Sequence, residues 1–300
     1  MNYLCRLILL LLVVFVVGGL PVAAQDVLPP RLIGAGDIAV CSDVGDEATA
    51  NLVESLLDPT RDLVFTAGDN VYQKGTLEEF QTCYHPSWGR FKRYTRPVLG
   101  NHEYGTRGAE GYFTYFGEKI ARPEGYSFYS FTHGEWLILM LNSNIDARKD
   151  VSIQGKWLRE TLEKNPRRCT MAIWHHPLLA SVGGTYSDRP RDIPALWEVL
   201  YDYGVDVIVN GHVHNYERFA PLDPMGTLDR ARGIRQFIVG TGGASRSRNI
   251  LNKRKPYSEA YDKTSLGVIV FTLYADRYVW EFVPAAGFTY RDQGSARCVD

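Results

Sequence analysis

The sequence predicts a mixed α/β fold in which two mixed β-sheets pack face to face with helices outside them. Apolar, strand-like runs alternate with helical stretches along the first part of the 300-residue chain. After about residue 234 strands predominate, and a turn at Ala275-Asp276-Arg277 indicates an antiparallel hairpin. Five short polar blocks, in order along the chain, each follow a strand-like run. They occupy residues 36–39, 68–72, 100–103, 174–177 and 211–214.

The apolar runs define the predicted strands in chain order. They lie at 31–35, 63–67, 96–99, 126–131, 135–142, 169–174, 205–210, 235–240, 266–274 and 278–283. Helical stretches are expected near 46–57, 153–164 and 191–203. There is neither an internal repeat nor a low-complexity linker, and this length suits one large core. We therefore expect one domain over residues 31–300.

The first residues have the pattern of a secretory signal peptide. Arg6 precedes an apolar run of eleven residues, Leu7–Val17, and a small-residue site, Val22-Ala23-Ala24, follows. The run is shorter than the roughly 20 residues that a membrane-spanning helix needs. We expect cleavage after residue 24, a secreted location that is periplasmic or extracellular, and no stable membrane insertion afterwards. An uncleaved anchor is the alternative.

The overall charge and the polar blocks restrict the function. A formal net charge of −1 gives no general bias toward nucleic acid or anionic membranes. Two cations about 3.5–4 Å apart need a bridging group, nitrogen and oxygen ligands, and open positions for water and substrate. Asp, Asn and His in the five blocks meet that need, whereas none of the five cysteines lies in a block. The sequence therefore predicts a two-metal site at one edge of the sheets.

With these blocks, the chain resembles the calcineurin-like metallophosphoesterases from about Arg31 to Pro284. The resemblance implies a four-layer αββα sandwich of two mixed sheets flanked by helices. It also implies that one metal is held by Asp37, Asp69, Tyr72 and His214, and that Asp69 bridges to a second metal held by Asn101, His175 and His212. A lone Gly-Asp or Gly-Asn pair is usually only a turn, but five ordered blocks are far more specific.

Within this superfamily the chain resembles the purple acid phosphatases. Tyr72 lies three residues beyond the bridging Asp69, and Ala39 stands where many relatives carry a histidine. A tyrosinate is a strong ligand for ferric iron, and a phenol of normal pKa about 10 needs a strong Lewis acid to lose its proton. The resemblance thus implies Fe³⁺ paired with a divalent Fe, Zn or Mn ion. Packing near the site is the alternative for Tyr72.

Two further histidines are candidate catalytic residues. His102 follows Asn101, and the family pattern makes its counterpart a phosphate contact or proton donor. His176 is either a substrate contact or a packing residue beside Pro177. Glu103 either orients the His102 imidazole or caps the following turn.

The number of cysteines is consistent with export to an oxidising compartment. Apart from Cys5 in the leader, four cysteines remain and allow three pairings. We favour Cys41 with Cys83, because both follow the first two metal blocks on strands expected to be neighbours, and Cys169 with Cys298. Free buried thiols are the alternative.

Three loops are expected to form the mouth of the site: 104–111, 181–190 and 243–257. The second contains Tyr186 and Arg189, which are candidates for substrate recognition by position alone. The third carries Arg246, Arg248, Lys253, Arg254 and Lys255, which either steer anionic substrates or form a solvated surface.

The resulting functional prediction is a secreted hydrolase that cleaves phosphate monoesters through a metal-bound hydroxide, as an acid phosphatase does. The alternatives are a phosphodiesterase acting on extracellular nucleotides or lipid head groups, and an inactive module that binds phosphorylated ligands. The expected partner is a small phosphoester substrate and not a nucleic acid.

Overall fold

The computed structural model describes residues 28–145, 152–181, 192–244 and 254–299. Their strands, in chain order, are β1 Arg31–Ala35, β2 Ala39–Val40, β3 Asp62–Thr66, β4 Val71–Tyr72, β5 Thr95–Arg96, β6 Tyr129–His133, β7 Trp136–Met140, β8 Cys169–Ile173, β9 Val207–Asn210, β10 Tyr216–Leu222, β11 Ile234–Val239, β12 Ser258–Asp262, β13 Gly267–Leu273, β14 Arg277–Pro284 and β15 Asp292–Arg297.

The α-helices of the described residues are α1 Gly45–Leu56, α2 Leu77–Glu79, α3 Glu110–Phe116, α4 Glu118–Ala121, α5 Ile153–Lys164 and α6 Ile193–Asp202. A π-helix at Phe80–Tyr84 and 3₁₀ segments at Trp88–Tyr94, Glu103–Gly105 and Arg107–Ala109 complete the set.

Two mixed sheets form the centre of the molecule. The six-stranded sheet has the order β15-β14-β13-β1-β3-β5, and the seven-stranded sheet has the order β12-β10-β11-β9-β8-β7-β6. The pairs β1–β3, β3–β5, β7–β8, β8–β9 and β9–β11 are parallel. The predicted hairpin is the antiparallel pair β13–β14. The pairs β1–β13 and β6–β7 are also antiparallel.

The alternation of side chains in β7 shows how the layers pack. Ile138 and Met140 belong to the core between the two sheets, whereas Leu137 and Leu139 face the core under α5 and α6. Across the inner core, Phe237 of the seven-stranded sheet contacts Phe271 of the six-stranded sheet, with ring centroids 5.1 Å apart. The outer side of the six-stranded sheet is covered by α1, whose Ala50 and Val53 are buried.

The predicted four-layer αββα arrangement is therefore confirmed. Each predicted strand and helix overlaps one in the structure, and most boundaries are shifted by a few residues. The predicted strand at 126–131, for example, begins at Tyr129. The predicted strand at 96–99 shares only Arg96 with β5, because Pro97 lacks the N–H group that a strand ladder needs.

The sequence prediction missed several short helices and five strands, namely the two-residue strands β2 and β4 and the longer strands β10, β12 and β15. β10, β12 and β15 contain few consecutive apolar residues, and the exposed and partly exposed positions of β15 alternate along its whole length. α3 lies where the end of a mouth loop was expected. Its Tyr112, Tyr115 and Phe116 pack against Phe80 and Tyr84, so tertiary contact stabilises a helix that aromatic residues do not favour by themselves.

Both favoured disulfides are present. Cys41 and Cys83 have Cα atoms 4.9 Å apart, and Cys169 and Cys298 have Cα atoms 5.5 Å apart. The first bond joins the end of β2 to the π-helix, and the second joins the first residue of β8 to the C-terminal segment.

Several sequence-based expectations lie outside the described residues. They are the leader at 1–24, the substrate candidates Tyr186 and Arg189, and three of the basic residues of the third loop, Arg246, Arg248 and Lys253. Among the described residues, no helix is both long enough and apolar enough to cross a membrane.

Candidate metal centre

The five polar blocks lie at the carboxyl ends of five strands and meet at one edge of the two sheets. Asp37 follows β1, Asp69 follows β3 and Asn101 follows β5, all in the six-stranded sheet. His175 and His212 follow the neighbouring strands β8 and β9 of the seven-stranded sheet. The candidate site therefore lies where the carboxyl edges of the two sheets adjoin.

Three of the predicted ligands have a left-handed backbone. The φ angle is 60° at Asp37, 48° at Asp69 and 69° at His212, a region that residues other than glycine rarely adopt. Such residues cluster at functional sites and cost about 1–3 kcal/mol each, which the surrounding structure must offset. Position 100 needs a glycine because its backbone lies close to the Asp69 side chain. A Cβ atom there would lie 2.1 Å from Asp69 Oδ1.

The first group of donor atoms surrounds the Tyr72 hydroxyl. Tyr72 Oη lies 2.9 Å from Asp37 Oδ1, 3.1 Å from Asp69 Oδ2 and 3.0 Å from His214 Nε2. His214 Nε2 is also 3.2 Å from Asp37 Oδ1. Three side chains from different loops thus converge on the Tyr72 hydroxyl.

The second group of donor atoms surrounds His175 Nε2. It lies 3.1 Å from Asn101 Oδ1, 3.2 Å from His212 Nδ1 and 3.2 Å from Asp69 Oδ2. Asn101 Oδ1 is also 3.1 Å from His212 Nδ1. The same atom, Asp69 Oδ2, contacts both groups, and so a single carboxylate oxygen lies between them.

Backbone N–H groups hold the second oxygen of each carboxylate. His212 N donates to Asp37 Oδ2 at 2.8 Å, and His102 N donates to Asp69 Oδ1 at 2.9 Å. Each aspartate therefore has one oxygen fixed by the backbone and one directed at the donor groups. His175 is oriented in a similar way, since its Nδ1 lies 2.8 Å from the carbonyl oxygen of Ala67, which leaves Nε2 toward the site.

Burial and charge shift the proton equilibria of the site. Burial opposes ionisation of Asp69, but the adjacent His175 prevails and the pKa of the Asp69 carboxyl is lowered. Burial disfavours protonation of His175, but the Asp69 and Asp37 carboxylates raise its pKa to about 9. In the metal-free protein these two side chains form a buried ion pair, and a cation that binds His175 Nε2 must displace its proton.

Tyr72 needs a cation to ionise. Burial, followed by the Asp37 and Asp69 carboxylates, raises the pKa of the Tyr72 phenol well above its usual value. Asp37 and Asp69 are themselves almost completely buried, and buried carboxylates require positive charge or hydrogen-bond donors for compensation. The donor set of carboxylate, phenol, amide and imidazole fits two cations. Asp37, Asp69 and His175 already place one ligand atom each within 4.8 Å of one another.

Residues 36–216 match the sequence profile of the calcineurin-like phosphoesterases. This match covers more than half of the chain and all of the donor residues. The chain belongs to the calcineurin-like phosphoesterase family. Membership implies a centre of two metal ions, and the two donor groups that share Asp69 Oδ2 fit that requirement.

Among the curated members of the family, the chain is similar to purple acid phosphatases. It is 28% identical over 262 residues to purple acid phosphatase 15 of Arabidopsis thaliana, covering 75% of this chain and 47% of the relative. It is also 28% identical over 263 residues to purple acid phosphatase 23 of the same plant, covering 75% of this chain and 55% of the relative. The chain thus spans about half the length of the curated relatives it matches.

Solved structures of other proteins share the fold. A purple acid phosphatase from yellow lupin seeds superimposes with a TM-score of 0.67 at 19% identity, covering 90% of this chain and 54% of that one. A dimetal phosphatase from Danio rerio superimposes with a TM-score of 0.60 at 12% identity, covering 89% of this chain and 98% of that one. These likenesses establish that the αββα fold is that of known metallophosphoesterases.

The two candidate catalytic histidines of this phosphoesterase chain differ in accessibility. The His102 side chain is 29% exposed, and its Nε2 lies 4.0 Å from Asp69 Oδ2. His176 is buried, and its Nδ1 lies 2.8 Å from the hydroxyl of Ser143. Its ring nitrogen is nevertheless within 4.8 Å of those of His175 and His212. The structure therefore brings both candidates to the donor groups, His102 at the surface and His176 beneath it.

Sequence reasoning missed the polar residues that follow β7. Ser143 contacts the His176 imidazole and also accepts a hydrogen bond from the His176 backbone N–H at 3.2 Å. Gln154 of α5 contacts both backbone groups of Asn142, at 2.8 and 2.9 Å. Their position in the sequence could have identified them, because Asn142 and Ser143 follow a buried parallel strand, as the five polar blocks do.

The interpretation of Glu103 also needs correction. The described hydrogen bonds join its carboxylate neither to the His102 ring, whose Nδ1 lies 2.6 Å from the carbonyl oxygen of Gln73, nor to the turn that follows Glu103. It accepts hydrogen bonds from backbone N–H groups of two ligand loops. Burial, followed by the negative charge of Asp69, raises the pKa of Glu103 to about 7.

Residues 216–218 of β10, which follow His214, make contacts that hold the His214 loop in place. Tyr216 donates to Asp292 at 2.7 Å, and Arg218 pairs with the same carboxylate at 2.8 Å, which ties β10 to β15 of the opposite sheet. Glu217 accepts a hydrogen bond from the backbone N–H of Ser181 at 2.9 Å. These contacts tie the segment that follows His214 to both sheets and to Ser181.

Proposed function

We propose that this chain is a secreted phosphomonoesterase whose active site is a two-metal centre. The observation that carries the proposal is the shared position of Asp69 Oδ2, 3.1 Å from the donor atom of Tyr72 and 3.2 Å from that of His175. An oxygen in contact with two complete donor groups is suited to bridge two cations.

The first cation would be held by Asp37, Asp69, Tyr72 and His214, and the second by Asp69, Asn101, His175 and His212. Bound there, the two ions would supply Lewis acidity that activates water and neutralises phosphoryl oxygens. Tyr72 favours Fe³⁺ in the first position, because its phenol becomes a ligand only beside a cation that strongly stabilises phenolate. The imidazoles and the neutral amide oxygen of the second group suit a divalent Fe, Zn or Mn ion.

His102 is the proposed proton donor to the leaving group. A carbonyl oxygen can only accept hydrogen bonds, so the contact with Gln73 requires the proton on His102 Nδ1. Nε2 then carries a proton only in the imidazolium form, and this nitrogen faces Asp69 Oδ2. The imidazolium can therefore donate from Nε2 to an alkoxide that leaves near the donor groups, while Nδ1 keeps the ring oriented.

His176 is the second proposed catalytic residue. Its burial beside His212, with ring centroids 4.5 Å apart, suits a contact to a bound phosphoryl group more than exchange of protons with water. The Ser143 hydroxyl on Nδ1 fixes the ring plane, so that the second nitrogen is presented in one direction.

Secretion is supported by two independent observations. The leader pattern over residues 1–24 is that of an export signal. Both expected disulfides form from the four cysteines that follow it, and disulfides of this kind persist in oxidising compartments.

A panel of esters tests the proposed activity directly. The metal-loaded protein should hydrolyse alkyl and aryl phosphate monoesters well above its rate for the matching diesters, and Asp69→Ala should remove nearly all turnover. A preference for diesters would indicate a phosphodiesterase built on the same donor groups. No turnover of any ester by protein that contains both metals would indicate a phospho-ligand-binding module instead.

A further inference from the structure

The Glu103 carboxylate lies completely buried behind the two loops that carry Asp69 and Asn101. Four backbone N–H groups donate to it. Oε2 accepts from Asp69 N at 3.1 Å and Gly100 N at 2.7 Å, and Oε1 accepts from Asn70 N at 2.8 Å and Val71 N at 3.3 Å. One side chain therefore satisfies donors from the loop after β3 and from the loop after β5.

We infer that Glu103 is a positioning residue that fixes the bridging Asp69 and the Asn101 loop relative to each other, and thereby sets the affinity of the metal centre. This inference rests on the proposed function, because it presupposes that these loops hold metal ions. Glu103 itself lies behind the ligands and is not proposed as one of them.

The backbone at Asp69 shows why an acceptor is needed there. Asp69 is left-handed, with φ of 48°, and follows Gly68 with φ of 85°. In such a conformation the N–H groups of Asp69, Asn70 and Val71 point to one concave side, where an anion can accept all three. The Glu103 carboxylate occupies this position. Removing it would leave a strained turn with unsatisfied buried donors.

The second loop is fixed by the same carboxylate and by Asp69. Gly100 N donates to Glu103, and His102 N donates to Asp69 Oδ1, so the N–H groups on either side of Asn101 are both directed at acidic side chains. Asp69 Oδ2 and Asn101 Oδ1 therefore keep their separation from His175 only while both contacts persist. A substitution of Glu103 should thus lower mainly the metal affinity of the group formed by Asn101, His175 and His212.

Glu103→Gln is the decisive variant. Each carboxylate oxygen accepts two N–H groups, so either orientation of the new amide places its NH₂ against two donors. Glutamine is nearly equal in size to glutamate, so the packing around position 103 should be kept. We expect the affinity of metal-free protein for Zn²⁺ at the weaker of its two sites, measured by calorimetry, to fall about 10- to 100-fold.

A matched control is available at the opposite edge of the sheet. Asp206 precedes β9 and is also buried, and it accepts backbone N–H groups from Thr170 at 2.8 Å and Val299 at 2.7 Å. Asp206→Asn makes the same chemical change away from the donor groups. Its Zn²⁺ affinity should stay within about twofold of wild type. The inference is overturned if Glu103→Gln also stays within that range, or if both variants lose affinity equally.

Hydrogen exchange of the wild type gives a second test that needs no variant. In the metal-free protein, the amides of Asp69, Asn70, Val71 and Gly100 should exchange as slowly as those of β3 (Asp62–Thr66), because the Glu103 carboxylate holds them without any metal. Fast exchange at these amides beside a protected β3 would overturn the inference. The two proposals fail differently: wild type that binds no Zn²⁺ contradicts the proposed function, whereas wild type and Glu103→Gln that bind two ions equally well contradict only the positioning role.

Discussion

At the residue scale, the candidate site contains side chains that keep their protons until cations bind. Tyr72 is a buried phenol whose pKa is raised well above its usual value by burial and by the Asp37 and Asp69 carboxylates. His175 has its pKa raised to about 9 by the same two carboxylates, although burial opposes this. Metal binding would relieve both conditions, since it replaces protons with cations between the same donor atoms.

Replacing Tyr72 tests the identity of the first metal. Protein loaded with iron and oxidised should show a visible charge-transfer band, because phenolate is an electron-rich donor to Fe³⁺. Tyr72→Phe keeps the ring and removes the donor oxygen, so the band should disappear while Asp37, Asp69 and His214 still hold iron. The absorption spectra of the two iron-loaded proteins decide the question. A wild type without the band, or a band that survives in Tyr72→Phe, would show that Tyr72 only packs near the site.

Replacing His102 tests its proposed role as proton donor. His102→Ala should lower turnover of an alkyl phosphate by about 10²–10⁴, with both metals still bound. The loss should be smaller for nitrophenyl phosphate, whose leaving group needs little protonation. His133→Gln is a suitable control, because His133 lies at the end of β6 and its Nε2 is 3.1 Å from the carbonyl oxygen of Arg31, at the start of β1 and away from the donor groups. Equal losses on the two esters would indicate phosphate binding rather than proton donation.

The donor residues could be predicted from the sequence because each lies in a short motif directly after an apolar strand. All seven predicted ligands meet in two groups, and their roles as ligands await metal analysis. The roles of Glu103 and Ser143 could not be predicted. The role of Glu103 depends mainly on the N–H groups of the Asp69 loop, more than 30 positions away in the chain, and that of Ser143 depends on the pairing of β7 with β8.

At the element scale, buried parallel strands were the most predictable part of the fold. β7, β8 and β9 are apolar on both faces, because one face meets the other sheet and the other meets α5 and α6. Edge strands such as β12 and β15 lack this signal, since one side of each is open to solvent. The short helices between residues 77 and 121 were also missed, because mutual packing of their aromatic side chains stabilises them.

Asp206, directly before β9, allows a test of how the stability of the protein depends on pH. Burial raises the pKa of Asp206 to about 7, although the N–H groups of Thr170 and Val299 oppose the shift. The folded protein then binds this proton more tightly than the unfolded protein does, so the stabilising contribution is lost as pH rises toward 7. The melting temperature of wild type should therefore fall relative to Asp206→Asn between about pH 5 and pH 8. A difference in melting temperature that is the same at both pH values would contradict the assigned pKa.

At the scale of the whole molecule, the fold places the functional side chains where two sheets adjoin. The six-stranded sheet supplies Asp37, Asp69 and Asn101, and the seven-stranded sheet supplies the imidazoles. Neither sheet alone has both donor groups. The disulfide between Cys41 and Cys83 joins the end of β2 to the π-helix, and Cys169–Cys298 holds the C-terminal segment against β8. In the chain-entropy description each bond contributes about 4–5 kcal/mol to stability.

The metal content of the purified, metal-loaded protein tests the central claim most directly. Elemental analysis should find two metal ions per chain in wild type. Asp69→Ala should retain at most one, because the oxygen that contacts both donor groups is gone. One ion or none in wild type, or two ions retained in Asp69→Ala, would contradict a two-metal centre bridged by Asp69.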